Sequence, residues 1–319
     1  MVITDYYYPN LKEEKKVFEG TDIQIIDCNG KCINEKDVIN YTKNADAILT
    51  QFVPITRNII RNLGKCKIIV RYAIGLDTID IEEATKKKIM VANVPDYCTE
   101  EVANHALALM LSLLRKVILM DKEVRKGIWS YKRSIPINRL STLNLGVVAF
   151  GRIARNFVEK AKVFGFKKIF IYDPYFQDFN YYPEYNFVSL RDLLEFSDVI
   201  SIHAPATNET KEIFNKKTFS LMKQGSYLIN TSRGFLINEK DLIEEIKKGK
   251  FGGVALDVLN MENITIDHPL FEFDNVIITP HMSWYSNESV KELQRKAAEQ
   301  VKKALLNGNP EYLINDISR

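Results

Sequence analysis

Short, β-rich apolar segments alternate with segments of helical periodicity along most of this chain, and this alternation restricts the possible folds more than any other feature. The predicted strands span residues 23–26, 47–50, 67–71, 90–92, 145–149, 169–172, 199–202, 227–230, 253–256 and 276–279. Helical periodicity is clearest over 153–164, 190–196 and 239–248. A regular alternation of this kind favours parallel sheets that are covered by helices on both faces.

The strands fall into two series, separated by a long helical segment over 100–126. A chain of 319 residues is also long for a single hydrophobic core. We therefore predict an α/β fold with two doubly wound parallel-sheet domains, of the Rossmann or flavodoxin-like type, and an active-site cleft between them. Segment 100–126 is apolar on more than one face, which fits either a contact with a second subunit or a plain core helix. The last helix, over 288–306, is expected to pack on the first domain.

The composition argues against several classes of protein. Lys and Arg number 44 against 41 Asp and Glu, and the local basic runs border apolar segments, so we expect no nucleic-acid partner. The four cysteines form no C-x-x-C pair, which is typical of reduced thiols in a cytoplasmic protein without a metal site. No secretion signal is recognisable, and the longest apolar stretch, 106–114, is far shorter than the roughly 20 residues of a membrane span.

A glycine-containing turn follows the predicted strand at 145–149. The pattern G-x-G-x-x-G of dinucleotide-binding loops is present as Ala149-x-Gly151-x-x-Ala154. Gly151 holds the position at which the backbone approaches the pyrophosphate, and the fingerprint permits alanine at the third position. Ala149 is a departure that requires either a turn with negative φ or a slightly strained backbone. The loop predicts a dinucleotide cofactor.

Asp173 ends the next predicted strand, 22 residues beyond Gly151. An acid at about this distance accepts hydrogen bonds from the adenosine ribose hydroxyls and repels a 2′-phosphate. No Arg or Lys lies within 174–180 to bind such a phosphate. The sequence therefore predicts NAD rather than NADP, while a simple Asp-Pro turn is the competing interpretation.

Three residues of complementary chemistry stand in the C-terminal half: Arg233, within Asn-Thr-Ser-Arg-Gly, then Glu262 and His281. A guanidinium fork, a carboxylate and an imidazole that converge at one cleft can bind an anionic carbonyl substrate and move a proton. The spacing alone is weak evidence, because a chain so rich in charged residues contains many such triples.

Further motifs stand at 71–77, 93–97, 203–205, 255–258 and 279–281, beside segment 230–234 and the glycine loop with Tyr172-Asp173-Pro174. Together these motifs resemble the D-isomer-specific 2-hydroxyacid dehydrogenase family. Segments 95–102 and 281–286 are most similar to its carboxyl-terminal-binding-protein-like and phosphoglycerate-dehydrogenase-like branch. The resemblance covers almost the full chain. It implies a discontinuous substrate-binding domain, 1–99 with 287–319, and an inserted NAD-binding domain, 100–286. It also implies a homodimer through the NAD-binding domains.

The resemblance assigns catalysis to Arg233, Glu262 and His281. His281 would donate a proton to the carbonyl oxygen of a 2-keto acid as hydride arrives from the nicotinamide. Glu262 would favour the imidazolium and fix its tautomer, and Arg233 would hold the carboxylate and carbonyl oxygens. The usual Glu-Pro is missing after Asp257-Val258, so we expect a less rigid Glu262 loop. The remaining histidines are poorer candidates for acid–base work: His105, His203 and His268.

The resemblance also supplies contact residues. The positions that match cofactor contacts are Phe150, Gly151, Arg152, Ile153, Asp173, Pro205, Thr210, Thr231, Ser232 and Asp257. On the substrate side, amides near Ile74 and Gly75 would bind the carboxylate. Arg71 either meets a polar or phosphorylated tail or is structural, and Trp284 is either an apolar wall of the pocket or part of the core.

The leading hypothesis is therefore an NAD-dependent reductase of small 2-keto acids to D-2-hydroxy acids. Phosphohydroxypyruvate (giving 3-phosphoglycerate), hydroxypyruvate and glyoxylate all present the same carboxylate and carbonyl, so the substrate stays open. A different class also stays open: a protein that senses NAD(H), binds partners according to redox state and turns over little substrate.

Overall fold

The computed structural model describes residues 1–134, 136–262 and 264–317. The chain divides into two compact units, one made of Met1–Tyr97 with the segment from Ser286 onward, the other of Cys98–Tyr285. The domain limits expected from the sequence, 99 and 287, lie within two residues of this division.

Within the described residues the strands are β1 (Val2–Ile3), β2 (Ile26–Asp27), β3 (Ala47–Thr50), β4 (Ile68–Arg71), β5 (Met90–Ala92), β6 (Asn144–Val148), β7 (Lys168–Tyr172), β8 (Asn186–Phe187), β9 (Val199–Ile202), β10 (Ser226–Asn230), β11 (Phe251–Leu256) and β12 (Val276–Ile278). The α-helices are α1 (Lys12–Phe18), α2 (Glu35–Thr42), α3 (Arg57–Arg61), α4 (Ile81–Lys86), α5 (Thr99–Arg115), α6 (Val117–Arg125), α7 (Arg152–Ala161), α8 (Leu190–Phe196), α9 (Lys216–Leu221), α10 (Glu239–Lys247) and α11 (Asn287–Asn307).

Both sheets are parallel, which confirms the predicted fold class. The first unit has a five-stranded sheet in the order β2-β1-β3-β4-β5, and α11 packs against α1, β3 and β4 as predicted. The second unit has a seven-stranded sheet in the order β12-β11-β10-β9-β6-β7-β8. Helices α5 and α7 contribute to the core on one face of that sheet, while α8 and α10 contribute to the core on the other.

The order of strands in the second sheet determines where a ligand can bind. The chain leaves β6 toward β7 and β8 on one side and then crosses to β9 on the other side. In open parallel sheets, ligands bind at the carboxyl ends of the strands near such a reversal. The predicted cofactor and catalytic residues of this unit follow the carboxyl ends of β6, β7, β9, β10, β11 and β12.

The prediction of a single helix over 100–126 is wrong, because the first helix ends at Lys116 and a second one follows. This residue has φ 53°, in the left-handed region, and its amide bonds back to the carbonyl groups of Ser112 and Leu113, as at a helix end. Helices α5 and α6 therefore meet at an angle of 59°. Within the described ranges no one helix has the length and apolarity for a membrane span, and only this bent pair passes the test when taken together.

Other differences from the predicted elements are small. Residues 23–25 are not a strand, because the pairing with β1 begins only at Ile26. The two-residue strands β1 and β8 have no predicted counterpart, since two residues are too short to show an alternating pattern.

Ala149, at the first position of the glycine motif, adopts φ 69° directly after β6. Its amide donates to the carbonyl of Tyr172 at 2.7 Å, so the residue continues the pairing with β7 while the chain turns. The slightly strained backbone, one of the two expected alternatives, is the one observed. A left-handed conformation costs a residue with a Cβ about 1–2 kcal/mol.

Replacing Ala149 by Gly should therefore stabilise the protein. The strain is relieved, while the greater freedom of glycine in the unfolded chain offsets about 0.5–1 kcal/mol, so we expect the free energy of unfolding to rise by roughly 0.5–1 kcal/mol. Chemical denaturation of the two proteins measures the difference. A less stable Ala149→Gly variant would show that the turn is not strained.

Candidate active site

The turn after β6 has the geometry that a pyrophosphate group needs. Gly151 has an ordinary φ of −71°, and a Cβ built on it would meet nothing within 4 Å. Neither the backbone conformation nor the packing of the protein therefore requires glycine here, and the space beside its Cα is open to a ligand. Helix α7 begins at Arg152 with no side-chain cap on its first amides. Uncapped amides at a helix N-terminus bind anions, so the predicted residues Gly151, Arg152 and Ile153 fit the phosphates of a dinucleotide.

Asp173, at the end of β7, links the two turns on which the adenosine would lie. Its carboxylate accepts the amide of Phe150 at 2.8 Å and the amide of Tyr175 at 2.9 Å. Each carboxylate oxygen has a second acceptor position, so two ribose hydroxyl groups can still be accommodated. The ring of Phe150 is buried among aromatic side chains, which include Phe176 and Tyr182. The Phe150 ring therefore anchors the loop in the core of this unit and is not exposed for contact with a cofactor.

Two further predicted segments follow β9 and β10. The hydroxyl of Thr210 donates to the carbonyl of Pro205 at 2.6 Å and so closes the turn after β9. Ser232 is bonded within the protein, since its hydroxyl donates to the carbonyl of Ile202 at 2.9 Å. In contrast, Thr231 has a buried hydroxyl oxygen for which the described residues offer no partner. Buried polar atoms are normally hydrogen-bonded, so this oxygen fits a group supplied by a ligand.

The turn that presents Arg233 is held by Asn230. The Asn230 side chain accepts the amide of Ser232 at 3.0 Å and donates to the carbonyl of Arg233 at 2.9 Å. The following Gly234 is packed so tightly that a Cβ would overlap the backbone of Leu259 and Asn260. This close approach brings the Arg233 turn directly against the chain that continues to Glu262.

Glu262 and His281 are in contact, as their predicted roles require. His281 Nδ1 lies 2.8 Å and 3.0 Å from the two carboxylate oxygens of Glu262, and the ring is 31% exposed. With Nδ1 turned to the carboxylate, the Nε2 atom is the one that can exchange a proton with a substrate. His281 has φ 50°, a conformation that non-glycine residues adopt mainly where the surrounding structure imposes it.

Asp257 imposes that conformation. Its carbonyl accepts the amide of His281 at 2.8 Å, and its buried carboxylate accepts the amides of Met282 at 3.0 Å and Ser283 at 2.9 Å. The hydroxyl of Thr279 donates to the same carboxylate at 2.6 Å. The position was assigned a cofactor contact from the sequence, but in the structure both carboxylate oxygens serve the turn that carries His281.

Trp284 has a similar effect on this turn, because its indole nitrogen donates to the carbonyl of His281 at 2.8 Å. Its ring is neither fully buried nor fully exposed. The indole is thus hydrogen-bonded to the turn that carries His281, and this contact does not decide between a pocket wall and a core side chain.

The residues of the first unit that the sequence assigns to the substrate, Arg71, Ile74 and Gly75, lie at or after the end of β4. Arg71 is buried, and its guanidinium donates to the carbonyls of Gln51 at 3.1 Å and Gly75 at 2.9 Å and lies 3.3 Å from a carboxylate oxygen of Asp77. Ile74 and Gly75 lie inside the loop that these contacts hold. Of the two alternatives for Arg71, its contacts favour the structural one.

The other histidines differ in what they contact. Burial lowers the pKa of His203 to about 3, so its ring is neutral and unsuited to proton transfer. His268 Nε2 lies 3.2 Å from a carboxylate oxygen of Glu239. His105 contacts Thr279 with its Nε2 at 3.0 Å, a contact that the sequence analysis missed because 174 residues separate the two.

Comparisons with known proteins agree with this geometry. A family model described as D-isomer specific 2-hydroxyacid dehydrogenase, NAD binding domain, matches residues 107–283. A glyoxylate reductase of Korarchaeum cryptofilum is 34% identical over 273 residues, which cover 84% of this chain and 82% of that protein. A D-3-phosphoglycerate dehydrogenase of Methanocaldococcus jannaschii is 36% identical over 288 residues, which cover 89% of this chain but only 54% of that longer protein.

A solved structure gives the same result for the fold. The crystal structure of a D-lactate dehydrogenase from Aquifex aeolicus, complexed with NAD and lactic acid, matches with a TM-score of 0.86 and 29% identity over 97% of this chain and 98% of that one. The chain belongs to the D-isomer-specific 2-hydroxyacid dehydrogenase family. It is an oxidoreductase with that family's NAD-binding domain, so the predicted resemblance and the predicted cofactor are confirmed.

Two glycine substitutions should separate cofactor binding from folding. Gly151→Ala adds a methyl group into open space at an ordinary φ, so we expect stability within about 0.5 kcal/mol of the parent protein and NADH affinity reduced roughly tenfold or more. Gly234→Ala overlaps the Leu259 backbone and should cost at least about 1–3 kcal/mol of stability. Fluorescence titration with NADH and chemical denaturation measure both. Unchanged NADH affinity in Gly151→Ala would remove this turn from the cofactor site.

Proposed function

We propose that the protein reduces small 2-keto acids to D-2-hydroxy acids with NADH. The observation that carries the proposal is the contact between His281 Nδ1 and Glu262, at the carboxyl edge of the sheet that bears the dinucleotide loop. NADH, when bound, supplies the hydride. The protein then has to hold the carboxylate of the substrate, orient its carbonyl and deliver one proton.

Each of these tasks has a candidate residue. His281 donates the Nε2 proton to the carbonyl oxygen as hydride reaches the carbon, and the reverse reaction returns a hydroxyl proton to the neutral ring. Glu262 stabilises the imidazolium and orients it. Arg233 binds the substrate carboxylate and carbonyl oxygens through its planar fork, and the amides at Ile74 and Gly75 add hydrogen bonds to the carboxylate. One keto acid, one hydride and one proton give one hydroxy acid.

Among the candidate substrates, the contacts of Arg71 favour glyoxylate and hydroxypyruvate over a phosphorylated keto acid. A phosphate tail needs cationic groups that are available to it, whereas the Arg71 guanidinium already meets two carbonyl groups and the Asp77 carboxylate. The loss of NADH absorbance with glyoxylate, hydroxypyruvate, phosphohydroxypyruvate and pyruvate tests this ranking, with NADPH as the cofactor control. Tight NADH binding without turnover of any of them would favour a sensing protein instead.

Replacing His281 by Asn removes the acid–base group and keeps a residue that tolerates the left-handed backbone. We expect kcat to fall by about 10²–10⁴ while NADH affinity stays within about twofold, because the ring acts only on the transferred proton. The matched control is His268→Asn, which removes the ring of a histidine that pairs with a different carboxylate, that of Glu239. An active His281→Asn variant would rule out the proposed acid.

We also propose that the protein assembles as a homodimer through its NAD-binding unit. The segment from α6 to residue 131 exposes Val117, Val124, Trp129 and Tyr131, with Trp129 89% exposed. Exposed apolar side chains clustered in one segment favour a contact with another protein surface.

Placing a charge at Trp129 should prevent that contact. Trp129→Glu is expected to shift the mass from that of a dimer to that of one 36.8 kDa chain, since a buried unpaired carboxylate opposes association. Size-exclusion chromatography with light scattering measures the mass. A monomeric parent protein would overturn the proposal, as would a Trp129→Glu variant that remains dimeric.

A further inference from the structure

His105, on α5, reaches the turn that carries His281 although no motif includes it. Its Nε2 lies 3.0 Å from the hydroxyl oxygen of Thr279 and 3.6 Å from a carboxylate oxygen of Asp257. The imidazole is 20% exposed, and the Asp257 side chain is fully buried. Three side chains therefore form a chain of contacts that starts on a core helix and ends at the peptide groups flanking His281.

The directions of these hydrogen bonds follow from the number of available protons. The Thr279 hydroxyl has one proton, and it lies 2.6 Å from Asp257 Oδ1, which in the ionised carboxylate can only accept. That proton is therefore committed to the carboxylate, and the contact between His105 and Thr279 needs a proton from the ring. His105 must carry hydrogen on Nε2, either as the neutral Nε2–H tautomer or as the imidazolium.

A hydrogen-bond donor is needed here because the carboxylate of Asp257 is buried. A buried carboxylate is costly unless hydrogen bonds and positive charge compensate it. Its hydrogen bonds come from Thr279, Met282 and Ser283, and among the ion pairs of the described chain His105 is its one basic neighbour. The ring both polarises the Thr279 hydroxyl toward Asp257 and offers a positive charge when it is protonated.

We propose that His105 is a positioning residue for His281, acting through Thr279 and Asp257. By holding the Thr279 hydroxyl against the carboxylate, it fixes the turn whose amides Asp257 accepts, and so the orientation of the His281 ring toward Glu262. The effect of His105 on catalysis rests on the proposed function, whereas the hydrogen-bond relay from His105 through Thr279 to Asp257 does not. A purely space-filling role would need only an apolar side chain of similar size at this position.

Two substitutions distinguish the alternatives. His105→Gln keeps an N–H donor near the position of Nε2, while His105→Leu keeps the bulk and removes the donor. Asn104→Leu, on an exposed position of the same helix, is the control for adding leucine to α5. The chain contains four histidines, so the imidazole nitrogen signals of protein labelled with ¹⁵N-histidine are few enough to assign with these variants and His281→Asn.

We expect the His105 signals of the parent protein to show hydrogen on Nε2. The chemical shifts of the His281 ring nitrogens should change in His105→Leu and should match those of the parent protein in His105→Gln and Asn104→Leu. An Nδ1–H tautomer at His105 would overturn the relay, and so would His281 signals unchanged by His105→Leu. The tautomer is measured on the parent protein, so the test does not depend on how well the leucine variant folds.

Steady-state kinetics then test the consequence for catalysis. With a substrate that the parent protein reduces, kcat should fall about 10- to 100-fold in His105→Leu, as for other small displacements of a reacting group, and stay within about threefold in His105→Gln, with KM little changed in both. Equal kcat values in the two variants would overturn the positioning role. Absence of turnover in the parent protein would refute the proposed function and leave the spectroscopic result on the relay standing.

Discussion

The hydrogen bonds to the buried carboxylate of Asp257 are the interaction on which the arrangement of the proposed catalytic residues depends. It accepts two consecutive amides after His281 and the Thr279 hydroxyl, while the Asp257 carbonyl accepts the amide of His281 itself. These bonds compensate a left-handed residue at the proposed acid–base position. They stabilise a backbone conformation of His281 that would be unfavourable without them. In this conformation the His281 ring faces Glu262.

The parallel sheet brings the remaining groups to the same edge. Every strand from β6 to β12 except the short β8 ends in a turn with a predicted cofactor or catalytic residue, because parallel strands place their carboxyl ends together. Local packing then refines each turn. Gly234 admits the backbone that leads to Glu262, Asn230 closes the turn of Arg233, and Gly151 leaves space for a phosphate. The predicted cofactor loop and the proposed acid–base pair thus lie at the same edge of one parallel sheet.

The sequence predicted those features that are encoded locally. Strands β3, β5 and β9 have the predicted bounds, because short apolar runs between polar turns mark buried strands, and helix α8 has the predicted bounds because its apolar residues follow the helical period. Features that depend on the conformation of one residue or on distant partners were beyond it. Nothing around Lys116 signals the break after α5, and no local pattern links His105 to a threonine 174 residues away. The contacts of Arg71 and Asp257 likewise needed coordinates, since a family match gives a position but not the partners of its side chain.

The most direct measurement compares the parent protein with Asp257→Asn, in stability, NADH affinity and kcat. Asparagine keeps the shape but loses one acceptor oxygen, so one of the amides or the hydroxyl around it loses its partner. The account predicts about 1–3 kcal/mol lower stability and a large loss of kcat, with NADH affinity changed by no more than about threefold. A variant of unchanged stability and kcat that binds NADH poorly would contradict it, because Asp257 would then act on the cofactor and not on the turn of His281.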